Sequence, residues 1–131
     1  MIEHGSTLVV WLGVSDLEKA CDFYAETLGL KVALLDHQAG WAEFTHPHCG
    51  ARLALQQVES DELMPSGGAT VIFDVPDIEL TMEQLEKGGV PFLTGVVPLN
   101  GHRVATFVDP DGNHLQLRDD QAPEEGSENP V

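Results

Sequence analysis

Apolar residues recur along the chain in two successive rhythms, and the pair of rhythms occurs twice. The first stretch alternates every second residue. Leu8, Val10, Leu12 and Val14 make an aliphatic row suited to lying under a helix, opposite Thr7, Val9, Trp11 and Gly13. The spacing then changes, with Leu17, Ala20, Cys21, Tyr24 and Leu28 at helical intervals and Gly29 as a stop. Ser15 followed by Glu18 predicts a capping box at the start of that helix. The second stretch repeats the design, with Val71, Phe73 and Val75 opposite Thr70, Ile72 and Asp74. Asp77 is the expected N-cap of the next helix, Ile78, Met82 and Leu85 point inward, and Gly88-Gly89 ends it. Glu83 and Lys87 are spaced for an i,i+4 ion pair on its wet side. Two late strands follow the same rule: Leu53 and Leu55 oppose Arg52, Ala54 and Gln56, while Leu115 and Leu117 oppose His114, Gln116 and Arg118.

The two stretches are an internal duplication. Val14-Ser15-Asp16 matches Val75-Pro76-Asp77 at an offset of 61, and "GARLALQ" matches "GNHLQLR" at an offset of 62. Each half reads as a strand, a helix and further strands. The expected organisation is one domain over residues 1–118, built of modules at about 6–58 and 68–118 with a polar linker at 59–67. Residues 119–131, "DDQAPEEGSENPV", hold five acids and no base, and are expected to be a disordered tail. Four strands thus have one helix-facing side and one mixed side. Mixed faces that meet in a curved sheet would enclose a cavity.

"VSDLEKACDFYAETLGLKV" after a first strand, the "VPD" helix of the second half and "FVDPDGNHLQL" together resemble the vicinal oxygen chelate superfamily over about residues 6 to 118. That group includes glyoxalase I, extradiol dioxygenases, fosfomycin-resistance transferases and bleomycin-resistance binding proteins. The resemblance implies an α+β fold in which two βαβββ modules form a cupped, mostly antiparallel eight-stranded sheet, commonly completed as a homodimer. Metal-dependent members carry one ligand on each of four strands. By motif, those corners fall here on Val9, Ala54, Thr70 and Gln116. Valine and alanine cannot coordinate through their side chains, threonine is a poor ligand, and glutamine offers one weak oxygen. Divalent transition metals want imidazole, carboxylate or thiolate. The resemblance therefore implies a member without the usual metal, and no cofactor is expected.

Other chemistry comes from the mixed faces. Trp11 and Trp41 could stack on a flat or cationic ligand, or be plain core. Arg52 and Ile72 line the same faces by parity. Asp74 is either a solvated aspartate before a helix or an anionic handle, with general-base action if burial raises its pKa. His114 shares cavity parity with Gln116 and is the best-placed histidine for proton transfer or ligand contact; His102 lies at a turn that could reach the cavity mouth. His46, His48 and Cys49 in "HPHCG" occupy the loop matching "DPDG" and read as a solvated turn. His4 and His37 have no identifiable partner, and Cys21 is placed in the core rather than as a nucleophile. Nucleophile-elbow, phosphate-loop and dinucleotide motifs are absent from the sequence.

Charge narrows the class of partner. Twenty-two acids against six bases give −16 with histidines neutral, and residues 1–118 still hold 17 acids to six bases. A nucleic-acid partner is disfavoured, because phosphate binding needs a basic face. A cationic ligand would be steered favourably, although solubility alone also accounts for such a charge. The sequence contains no membrane-length apolar run and opens on no signal-like segment, so a cytoplasmic protein is expected. The expected function is metal-independent binding, resembling bleomycin-resistance proteins, that sequesters a cationic or flat aromatic ligand in the sheet cavity. The alternative is a lyase, isomerase or dioxygenase with displaced metal ligands, or acid–base catalysis by Asp74 or His114. A third reading is a partner-binding module whose cup is filled by Val9, Trp11 and Ile72.

Overall fold

The computed structural model describes residues 1–3, 5, 7–62, 69–99 and 101–121. His4, residues 63–67 of the expected linker, and the acidic segment from 122 onward lie outside the described residues. The chain divides into two compact units, residues 1–67 and 68–131.

In the first unit the aliphatic alternation becomes β1 (Leu8–Val14), followed by α1 (Leu17–Asp22), β2 (Lys31–Asp36), β3 (Trp41–Thr45) and β4 (Ala51–Gln57). They form a four-stranded sheet, sheet A, in the order β1-β4-β3-β2. β1 runs parallel to β4, and the other two pairings are antiparallel. The helix covers the row containing Leu12, Val14, Leu53, Leu55, Ala42 and Phe44, all buried. Tyr24 packs against Phe44 with ring centroids 6.0 Å apart. Coverage is incomplete at the start of β1, where Leu8 keeps 71% of its surface exposed and Val10 also remains uncovered.

Two details of this helix differ from the sequence expectation. Its N-cap is Asp16, whose carboxylate accepts the Lys19 amide at 3.1 Å, rather than Ser15. Its far end widens into a π-helical turn over Phe23–Thr27, where the Leu28 amide bonds the Phe23 carbonyl at 3.0 Å. The extra residue in that turn shifts the helical phase. Leu17, Ala20 and Tyr24 are buried, whereas Cys21 and Leu28 are only half-buried and Leu30 takes the inward place.

The second unit repeats the topology with β5 (Val71–Asp74), α2 (Ile78–Lys87), β6 (Val97–Leu99), β7 (His102–Val108) and β8 (His114–Asp119). They form sheet B in the order β5-β8-β7-β6, again with one parallel and two antiparallel pairings. Here Asp77 is the N-cap, accepting the Glu79 and Leu80 amides. Ile78 and Leu85 are buried, Met82 is half-buried, and Lys87 meets Glu83 at 3.2 Å. Gly88 closes α2 and Gly89 follows at φ +88°. A Cβ at Gly89 would meet nothing within 4 Å, so the cost of a side chain there is purely conformational. Gly89→Ala is expected to lower stability by about 1–2 kcal/mol, read from the urea midpoint with an unchanged slope.

β8 carries the fold past the expected boundary at residue 118. Asp119 is buried on the helix side of sheet B, and the Gln121 side-chain amide donates to the Pro76 carbonyl at 3.1 Å. The acidic composition of 119–131 conceals that its first residue is a core group.

The two loops that resemble each other in sequence are both turns. Asp109 is buried and accepts the Asp111 amide at 2.9 Å, the Asn113 amide at 2.8 Å and the Asn113 side chain at 2.9 Å. In the matching position His46 accepts the His48 amide through Nδ1 at 3.0 Å. The first-unit loop is one residue longer, so the offset falls from 63 at His46 and Asp109 to 62 at Gly50 and Gly112.

Candidate functional site

Strand register places the mixed residues of sheet A on the face turned away from α1. Trp11, Ala54, Glu43 and Leu34 form one row across the four strands. Val9, Arg52, Thr45 and Lys31 form a second, and Gly13, Gln56, Trp41 and Asp36 a third. The centre of this face is Glu43. Its Oε2 accepts the Trp41 indole N–H at 2.9 Å and its Oε1 accepts Arg52 at 2.8 Å. The Arg52 and Trp41 hydrogen bonds hold the Glu43 carboxyl below the usual glutamate range, so it stays ionised. Trp11, two strands from Glu43 at one end of the row, has 56% of its surface exposed, and Leu34 is exposed at the other end. Ala54, between Trp11 and Glu43, has no exposed surface, so a ligand on this face would meet its neighbours rather than its methyl group.

Glu43 was absent from the residues singled out in the sequence. The alternation of Trp41, Glu43 and Thr45 against Ala42 and Phe44 is present there, but its pairing with Arg52 depends on the β3–β4 register.

On sheet B the helix-free face carries Ile72, Gln116 and Thr106 in one row and Asp74, Arg118, Val104 and Val97 in the next. The Gln116 amide donates to the Thr106 hydroxyl at 3.2 Å. Thr70 is exposed just before β5, Ile72 is exposed, and His114 is exposed at the start of β8. Asp74 accepts two bonds from Arg118, at 2.7 and 3.1 Å, with 68% of its side chain in solvent. It is therefore a solvated, arginine-paired carboxylate, not the buried one that general-base action required. His102 Nδ1 lies 2.8 Å from an Asp120 carboxylate oxygen without forming a hydrogen bond to it.

The four corners that hold a metal in metal-dependent relatives do not fit one here. Val9 and Ala54 offer no side-chain donor atom, Thr70 offers a neutral hydroxyl, and Gln116 offers one neutral amide oxygen. Among the described residues, no three His, Cys, Asp or Glu side chains gather as a metal-holding group. Cys21 is a poor nucleophile, because burial and then the neighbouring Asp22 raise its pKa.

Two four-stranded mixed sheets, each backed by a helix and carrying hydrogen-bonding groups on its other face, with two tryptophans on that face of the first, define an α+β protein of repeated βαβββ units. The chain belongs to the Glyoxalase/Bleomycin resistance protein/Dioxygenase superfamily, whose family pattern matches residues 6–117. It is 28% identical to the uncharacterized protein YetH of Bacillus subtilis (strain 168), covering 91% of this chain and all of that protein. It is 30% identical to Glyoxalase domain-containing protein 4 of Rattus norvegicus over 88% of this chain, and spans only 41% of the rat protein's length. Among solved structures, TnmS3, an antibiotic binding protein from Streptomyces sp. CB03234, superposes with a TM-score of 0.74 at 27% identity, covering 91% of this chain and 98% of that one. The superfamily thus includes antibiotic-binding members. Among the described residues, no helix is long and apolar enough to cross a membrane.

Proposed function

We propose that the protein binds a flat small molecule without a metal and without transforming it, on the helix-free faces of its sheets. The observation that carries this reading is the composition of those faces. Val9 and Ala54, unsuited to coordination, share the helix-free face of sheet A with an exposed tryptophan and a fixed polar group, and the other two corners, Thr70 and Gln116 in the second unit, are no better suited. Trp11 supplies stacking area at low entropic cost, and Trp41 is already oriented by its bond to Glu43. Similarity to an antibiotic binding protein supports a ligand of natural-product type. Neither Asp74, solvated and paired, nor His114, exposed at a strand start, has surroundings that favour the acid–base alternative.

Protein purified without chelators or metal-affinity steps is expected to contain far less than stoichiometric transition metal, by elemental analysis. Its affinity for planar aromatic ligands, followed by quenching of its two tryptophans, is expected to survive EDTA unchanged. Stoichiometric zinc, nickel, manganese or iron, or binding abolished by the chelator, would overturn the reading.

A further inference from the structure

We infer that Glu43 selects the charge of the ligand, so that the helix-free face of sheet A takes a planar aromatic cation stacked on Trp11 with its positive edge turned toward the Glu43 carboxylate. This rests on the binding reading above and adds to it the ligand class and the residue that sets it. Neighbouring strands lie about 4.8 Å apart, so Trp11 and Glu43, two strands apart in one row, are separated by roughly 10 Å at the backbone. That span matches the long dimension of a three-ring planar system. The ligand would lie across the side chains of Trp11 and Glu43, because Ala54 between them is covered.

A carboxylate has about four acceptor positions. The Trp41 indole and Arg52 each take one, on different oxygens, and the Glu43 side chain retains 16% of its exposure. A ligand N–H can therefore reach a carboxylate whose geometry is already set and whose charge is already fixed. Trp11 adds the attraction of a ring face for a cation. An anion meets the opposite conditions: Arg52 is engaged with Glu43, and the chain as a whole carries −16. Pulling Arg52 away would leave Glu43 without its main partner.

The test uses two planar three-ring probes of opposite charge, proflavine as the cation and anthracene-9-carboxylate as the anion, titrated against the full chain by tryptophan quenching. The wild-type protein is expected to prefer proflavine by at least about tenfold, as a charge-assisted hydrogen bond would give. Glu43→Gln should remove about tenfold of proflavine affinity without weakening the anion. Arg52→Met should act in the opposite direction and tighten proflavine, because it releases an acceptor position and a competing charge. An ion pair that merely supports the sheet would weaken proflavine in both variants, and that result overturns the inference. So does equal affinity of the wild-type protein for the two probes. If neither probe binds the wild-type protein, the binding reading itself falls and takes this inference with it. Circular dichroism and the unfolding midpoint of each variant confirm that affinity is read on folded protein.

Discussion

Arg103→Met is expected to destabilise the chain by about 3–5 kcal/mol, because it strands a buried carboxylate. Arg103, a β7 residue on the helix side of sheet B, makes two bonds to Asp119, at 3.1 and 2.8 Å, with a third to Glu79 at 2.8 Å. The Asp119 side chain has no exposed surface, and its Oδ2 also accepts the Ile78 amide at 2.9 Å, the first free N–H of α2. One carboxylate thus closes a helix end and balances a buried guanidinium. Replacing both partners by apolar residues would relieve the stranded charge but leave the Ile78 amide without its acceptor, so the double variant should recover only part of the loss.

The same pair sets an acid dependence. Arg103, and then the Ile78 amide, hold Asp119 below its ordinary pKa against the opposing effect of burial. A carboxylate depressed in the folded state contributes stability that is complete above its unfolded value, about 3.9. That contribution is lost as pH falls from about 5 through the unfolded value towards the folded one. Wild-type stability should therefore decline across that window, and the Arg103→Met protein should show a smaller acid-induced decline. Urea titrations at pH 7 and at about pH 3 on both proteins measure this directly. Equal declines would show that Asp119 is not the responsible group.

The first unit uses a neutral version of the same device, and the comparison shows what a sequence conceals. Gln57 accepts the Leu17 amide at 2.9 Å, as Asp119 does for Ile78, and the two acceptors are 62 residues apart, the repeat offset. Local signals were readable: strand alternation marked the faces of β1, β4, β5 and β8, and Asp77 announced its helix. The capping acceptors were not, because each comes from about 40 residues further along the chain and depends on β1–β4 or β5–β8 pairing. Ser15 and Glu18 satisfied a local motif, yet Asp16 holds the cap, one residue nearer the helix as Asp77 does in the second unit. Composition misled in the same way at Asp119, where a run of acids reads as solvent-exposed chain. Glu43 was hidden for a further reason. A tryptophan in the polar row of β3 blurs the alternation, and only the hairpin register brings Arg52 beside it.

Asp109→Ala is the other large loss expected, about 2–4 kcal/mol, and it should leave ligand affinity unchanged. "DPDGN" is part of one of the three stretches that together carry the resemblance to the superfamily, which invites a functional role for its first aspartate. The structure gives that residue a different task. Its carboxylate accepts three N–H groups, two of them from Asn113, and both residues are buried. Alanine would leave the Asn113 donors in a place water cannot readily reach, and each unsatisfied buried donor costs about 1–3 kcal/mol. Asp109→Asn keeps one acceptor oxygen but turns an amide towards the Asn113 side chain, so an intermediate loss is expected. His46→Ala at the matching loop should cost less than about 1 kcal/mol, because the imidazole there accepts a single, exposed amide. Thermal unfolding of the three variants, with planar-ligand affinity measured on each folded protein, separates the two roles. A stable Asp109→Ala protein that no longer binds would move the aspartate from the turn to the site. A destabilised one that binds normally makes the superfamily signature a structural turn, whose contribution is to start β8 in register with Gln116 beside Thr106.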